Sequence, residues 1–230
     1  MVHHLGCIPF DEAWRLQETW ADEIAREVRP PTLLLLEHPH TFTFGRRGKT
    51  ENLLWDQNEL KRRGVAVHWI DRGGDITYHG PGQLVGYPLL PLSPIHPVSP
   101  SSPSLPIPKA DYLGYLRKLE DVLIISLQRM DIEASRIEGL TGVWIPERQA
   151  KIAAIGIKVD ARGVSRHGFA LNVNPDMSYW EGIVACGLKD YAITSLADLL
   201  DKVPPMQSVM DAVQTAFGEI FGYKMVLANS

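Results

Sequence analysis

Arg72-Gly73-Gly74-Asp75-Ile76-Thr77-Tyr78-His79-Gly80-Pro81-Gly82-Gln83 lies between two apolar segments, 65–70 and 84–90. Glycine weakens a strand that only has to pack, and it is needed where backbone takes positive φ or comes close to a ligand. Four glycines set among Arg, Asp, Thr, Tyr, His and Gln therefore read as the wall of a site joining two strands. An elaborate hairpin connection is the plainer alternative, and the density of polar side chains argues against it.

Working outward, segment 65–70 reads as a strand entering this loop. Segment 84–90 reads as a strand leaving it, interrupted by Gly86 and stopped by Pro88 and Pro91. Upstream, Phe10, Ala13, Trp14, Trp20, Ile24 and Val28 recur at helical spacing, so 10–28 is predicted helical and ends at Arg29-Pro30-Pro31. The four leucines within 32–37 are too short a run for a helix between prolines and read as a buried strand. The alternation Thr41-Phe42-Thr43-Phe44 predicts a second strand. Asp56 with Glu59 three residues on caps a short helix that Gly64 closes.

Downstream, a proline- and serine-rich stretch at about 91–108 cannot form a ladder or a helix and reads as an extended or mobile insertion. Residues 112–130 carry Tyr112, Leu116, Leu119, Leu123, Leu127 and Met130 at steps of three and four, the pattern of one buried helix face. Strands are expected at 132–137, 142–145, 151–159 and 168–173, with a hairpin turn at 160–163. A short helix capped by Thr194 or Ser195 follows, then a helix at 206–221 and a short final strand at 223–227. Short mixed strands with three main helices indicate an α/β (α+β) chain rather than an orderly βαβ series. The whole of 1–230 reads as one catalytic domain carrying the 91–108 insertion.

Composition narrows the function. The 230 residues carry a net charge of −4 and no Lys/Arg block, so nothing points to nucleic acid. No apolar run is long enough to span a membrane, no secretory leader is visible, and two cysteines, Cys7 and Cys186, make no disulfide framework; cytoplasm is the expected location. Gly48-Lys49-Thr50 resembles the end of a phosphate-binding loop, but that motif needs glycine at position 43, where Thr43 stands. His38-Pro39-His40 lacks Cys or carboxylate partners at ligand spacing, so no metal is expected. No Gly-x-Ser-x-Gly elbow and no dinucleotide fingerprint are present.

Four positions could carry chemistry. Cys186, followed by Gly187, could be a nucleophile with a backbone N–H beside it for an oxyanion, or simply an inert buried thiol. Lys151 heads a strand of small and apolar residues, where desolvation would make it a usable base; it could equally be an exposed strand-end lysine. His79 and His167 could each serve a thiol as base, or be structural.

Together, Arg72–Gln83, Gly142-Val143-Trp144-Ile145, Lys151-Ile152-Ala153-Ala154-Ile155-Gly156, His167-Gly168-Phe169-Ala170-Leu171-Asn172-Val173-Asn174 and Ala185-Cys186-Gly187 resemble the lipoyl(octanoyl) transferases of lipoate biosynthesis. The resemblance implies mixed β-sheets flanked by helices, in the fold of lipoate and biotin protein ligases. It implies transfer of an octanoyl group, without ATP or other cofactor, from octanoyl-acyl carrier protein to a lysine of a lipoyl carrier domain. Acceptors would be the lipoyl domains of 2-oxoacid dehydrogenase complexes and the glycine cleavage H protein. Cys186 would be the nucleophile and Lys151 its acid/base partner. Arg72, Gly73, Gly74, Asp75, Ile76, Thr77, Tyr78 and His79 would contact substrate, with Ala154, Ile155, Gly156, Gly168, Phe169 and Ala170. An ATP-dependent lipoate or biotin ligase on the same fold is the alternative; it would need no cysteine.

Overall fold

The computed structural model describes residues 1–92, 111–185 and 191–228. Cys186, Gly187 and most of the 91–108 insertion lie outside that set. One sheet runs β1 (Val2–Cys7), β2 (Thr32–Glu37), β6 (Gln83–Leu89), β10 (Ser165–Asn172), β9 (Ala150–Val159), β8 (Leu140–Ile145) and β7 (Ser135–Ile137), with β11 (Ala192–Ile193) pairing β9. A second, three-stranded sheet orders β4 (Ala66–Trp69), β3 (Thr41–Phe44) and β5 (Ile76–His79). The architecture is α+β, mixed sheets flanked by helices.

The leucine run shows how the layers form. Successive strand residues point to opposite faces. Leu33 and Leu35 enter a core with α3 (Tyr112–Gln128) and α5 (Met206–Phe221), against Leu119, Leu123, Val213 and Phe217. Leu34 and Leu36 enter a second core with Ala13, Ala21 and Ile24 of α1 (Phe10–Ala25). All four are buried, each contributing roughly 1.5–3 kcal/mol of transfer free energy. A run that serves two cores has to be apolar throughout.

Several expectations need correction. The first helix stops at Ala25 rather than at Val28, which is 70% exposed. A proline ring clashes with the carbonyl four residues back, so Pro30 bars helix from running through it, and Glu27 turns the chain with φ 60°. Pro88 does not stop β6; it pairs with Leu33, while on the β10 side Ser165 Oγ donates to the Pro88 carbonyl at 2.7 Å. Residues 223–227 form no strand, only a bridge between Val2 and Leu227. Tyr112 is exposed, whereas Leu119, Leu123 and Leu127 of its expected face are buried. β1 and β11 carried no apolar alternation to announce them. The cap at Asp56 and the αL glycine at 64 bound the helix α2 (Gln57–Arg63) as expected, and Ser195 caps α4 (Leu196–Leu199) with a reciprocal capping box. Among the described residues no helix is long and apolar enough to cross a membrane.

The opening glycine stretch is more than a loop. Its middle is β5, in the small sheet, and its end begins β6, in the large one. The turn between them is tight: a Cβ on Gly82, at φ 84°, would lie 2.2 Å from the Asn174 carbonyl oxygen. The stretch thus ties the two sheets together and faces the space between them.

Candidate active site

β3 and β5 sort their side chains by the same alternation. Phe42, Phe44, Ile76 and Tyr78 bury in a small core with Leu60 and Ile183. Their in-between neighbours Thr43, Thr77 and His79 turn the other way, and Thr77 and His79 reach a cavity of about 500 Å³. That cavity is also lined by Arg72, Gly73, Gly74, Asp75, Lys151, Ala154, Ile155, Gly156, Gly168, Phe169 and Ala170. Of the residues singled out in the sequence, Ile76 and Tyr78 send their side chains away from it, and Cys186 lies outside the described residues. Phe10, Ile70, Tyr87, Leu116 and residues 139–141 also line it and were not anticipated.

A directed hydrogen-bond chain fixes the polar wall. Arg72, buried, donates from Nη2 to the Thr43 carbonyl at 2.6 Å and to Thr43 Oγ1 at 2.9 Å. Thr43 Oγ1 is 3.3 Å from His79 Nε2, and His79 Nδ1 is 2.8 Å from Gln83 Oε1. An amide oxygen only accepts, so His79 carries its proton on Nδ1 and takes one hydrogen bond, from Thr43, at Nε2. Gln83 Nε2 donates to Asn172 Oδ1 at 2.9 Å, and Asn172 Nδ2 to the Thr194 carbonyl at 2.9 Å. Burial holds the His79 pKa well below its usual value, with His38 nearby adding to the effect. His79 is therefore a neutral, doubly engaged wall residue and a poor general base. His167 is also occupied: Nε2 meets Asp71 Oδ1 at 2.9 Å, and burial, partly offset by that carboxylate, lowers its pKa. Asp71 in turn is held well below the usual carboxylate range by His167 first, and also by Lys158 and Arg166.

The carboxylate of Asp75 is a staple. Oδ1 accepts from the backbone N–H of Lys49 and Ile76, and Oδ2 from Asn52 Nδ2 at 2.6 Å. The loop it holds cannot cradle phosphate, because Gly45, Arg46 and Arg47 already donate their N–H groups to the carbonyls of Asp75, Arg72 and Gly74.

Lys151 is 6% exposed, which excludes the exposed strand-end alternative. Its backbone is enclosed by Trp144 of β8 on one side and Ile193 of β11 on the other. Its Nζ sits 4.6 Å from the Trp144 ring centroid, a cation–π contact. Between β8 and β9 the register shifts, from Val143 opposite Ala153 to Trp144 opposite Lys151. That bulge lets both Lys151 and Ala154 line the cavity, although residues three apart in a regular strand point to opposite faces. Lys151 also lines a small recess with Thr77, Trp144, Trp180, Ala185 and Tyr191. Ala185 and Tyr191 are the described residues on either side of the segment that holds Cys186.

The buried histidines set a pH dependence. His38 is locked between the Ile8 carbonyl and Tyr87 Oη, each at 2.8 Å, and burial lowers its pKa to about 4. Unfolded histidine titrates near 6.5, so between about 6.5 and 4 the unfolded chain binds protons that the folded one refuses. Stability is unaffected above that window and falls as pH drops through it, by up to about 1.4 kcal/mol per pH unit for each histidine. Urea midpoints measured from pH 7.5 to 5 should decline accordingly, and His38→Gln should flatten the slope by about one proton. A midpoint independent of pH over that range contradicts this account.

Residues 9–218 match the family model for the lipoyl protein ligase A/B catalytic domain. The chain belongs to that family. An octanoyltransferase of Chloroflexus aggregans is 43% identical over 229 residues, covering all of this chain and 98% of the relative. Another, of Koribacter versatilis, is 44% identical over 230 residues, with 100% and 87% covered. Within the family the chain falls among these octanoyltransferases, acyltransferases of lipoate biosynthesis. The fold is shared more widely. A lipoate-protein ligase A bound with ATP superposes with a TM-score of 0.72 at 16% identity, covering 99% of this chain and 88% of that one. A bi-partite lipoate protein ligase from Thermoplasma acidophilum gives 0.71 at 18%, covering 99% and 86%.

Proposed function

We propose that the chain moves an octanoyl group in two steps, through a thioester on Cys186, from octanoyl-acyl carrier protein to a lysine of a lipoyl domain. The acceptors are lipoyl domains of 2-oxoacid dehydrogenase complexes and the glycine cleavage H protein. The observation that carries this reading is a buried lysine on a cavity of ligand size, sharing a recess with Ala185, the residue before Cys186.

The chemistry follows from those groups. A thioester is already activated, so attack by a thiolate needs no ATP. Lys151 as an ammonium favours the Cys186 thiolate and then protonates the departing carrier thiolate. As a neutral amine it then takes a proton from the incoming lysine. The acyl chain lies along Ile155, Phe169 and Leu116, and each buried CH₂ contributes about 0.8 kcal/mol to its binding. Arg72 and His79 act as wall, holding β3 and β5 at fixed spacing.

Intact-mass analysis after incubation with octanoyl-acyl carrier protein, without ATP, tests the reading. One added octanoyl group, mapped to the peptide containing Cys186 and passed on when a lipoyl domain is added, is the expected result. An adduct on another residue, or transfer that requires ATP, overturns it and favours a ligase.

A further inference from the structure

Thr77 is 6% exposed, and its hydroxyl has no hydrogen-bond partner among the described residues. Its cross-strand neighbour Thr43 makes the contrast, because that hydroxyl is used by both Arg72 and His79. An unmet buried donor costs about 1–3 kcal/mol, and valine has the same shape without the cost. An unmet buried hydroxyl at this position calls for an explanation.

Two further unmet donors, the indole Nε1 atoms of Trp144 and Trp180, belong to walls of the small recess that Thr77 shares with Lys151 and Ala185. The recess offers about 10 Å³, close to the space of one water-sized group. The described residues of its walls carry no carboxylate and already include the Lys151 ammonium, so it does not suit a cation. A resident water could donate only to the Thr77 hydroxyl, because indole N–H and ammonium groups cannot accept. An oxygen that only accepts can meet the hydroxyl, an indole N–H and the ammonium together.

We propose that this recess is the oxyanion site of the transfer reaction and that Thr77 is a catalytic residue, its hydroxyl donating to the acyl carbonyl oxygen; the assignment rests on the acyl-enzyme reading above. The Cys186 thiolate forms a bond to the carbonyl carbon, and the C=O π pair moves onto oxygen. That alkoxide accepts a hydrogen bond from Thr77 without taking its proton. Collapse restores C=O and breaks the bond to the carrier sulfur, which leaves as a thiolate and takes a proton from the Lys151 ammonium. The donor is in place before reaction, which is what makes such a contact count most in the transition state.

Single-turnover octanoylation of Thr77→Val and Thr77→Ser, followed by intact mass across donor concentrations, tests this. For Thr77→Val the rate at saturating donor should fall about 10²-fold with an unchanged half-saturating concentration, and Thr77→Ser should stay within about threefold of native. The melting temperature of Thr77→Val should be equal to or above native, because an unmet hydroxyl has been removed. A valine variant as fast as native overturns the proposal, as does a loss confined to half-saturation, or a lowered melting temperature, which would mean a structural partner. A native protein that forms no octanoyl-enzyme overturns the transferase mechanism itself, and this assignment with it.

Discussion

Lys151→Met is expected to slow octanoyl transfer by about 10³-fold, within the range assigned to a positioned acid or base, while the chain still folds. The substitution separates chemistry from folding. Lys151 is enclosed between β8 and β11, and its side chain lies on the Trp144 ring. Methionine is similar in length, unbranched and polarizable, and its sulfur makes favourable contacts with aromatic rings, so it fills the same slot. What it removes is the exchangeable proton. Without an ammonium the thiolate loses its partner and the carrier thiol leaves unprotonated, so octanoyl-enzyme should form slowly. Without an amine the acceptor lysine keeps its proton, so the second step should slow too. Rapid-quench measurement of each step reads both losses, and circular dichroism melting checks the fold. Transfer within about threefold of native would remove Lys151 from the acid/base role.

Much of that site could be read from the sequence, and the remainder has identifiable physical causes. The leucine run, the Thr-Phe alternation and the hairpin turn at 160–163 each signal themselves locally, through period or turn chemistry. The glycine stretch was legible as a site wall because glycine and polar groups rarely crowd together for packing alone. What stayed hidden depends on pairing between distant residues. β5 within that stretch follows from its partner β3, and four residues with mixed polarity do not declare a strand. The bulge that puts Lys151 and Ala154 on one face follows from a register shift against β8, which no local pattern encodes. Asp75, anticipated as a substrate contact, lines the cavity, but its hold on the loop at 45–52 could not be read from the sequence. Gln83 and Asn172 were visible in motifs, but their hydrogen bond crosses 89 positions of sequence. Helix ends and strand ends failed where Pro30 and Pro88 act through neighbours rather than through their own residue type.

Glu120 was missed altogether, and Glu120→Ala is expected to destabilise the chain by about 1–3 kcal/mol, the cost of leaving the buried Gly142 N–H unmet, since the partner arginines keep about a third of their side chains in water. A charge in the middle of an amphipathic helix ordinarily faces water. This one is fully buried: Oε2 accepts from Arg117 Nη1 at 2.6 Å and Arg136 Nε at 2.7 Å, and Oε1 accepts from the Gly142 backbone N–H at 3.1 Å. Alanine would leave Arg117 without this carboxylate, Arg136 with Asp121 alone, and a buried N–H with nothing to meet. For a chain of this size the thermal midpoint should drop by about 2–12 °C. Glu120→Ala combined with Arg136→Ala should cost less than the sum of the two, since both changes remove the same Arg136–Glu120 ion pair. A loss below about 1 kcal/mol would show that the cluster behaves like a surface pair. The consequence reaches the site, because Gly142, at φ 117°, immediately precedes the Val143–Trp144 register shift. The carboxylate supplies a partner for a donor next to a break in the ladder, and that break aims Trp144 and Lys151 at each other. Activity in Glu120→Ala should therefore fall below native well under its melting temperature, with Lys151 itself untouched.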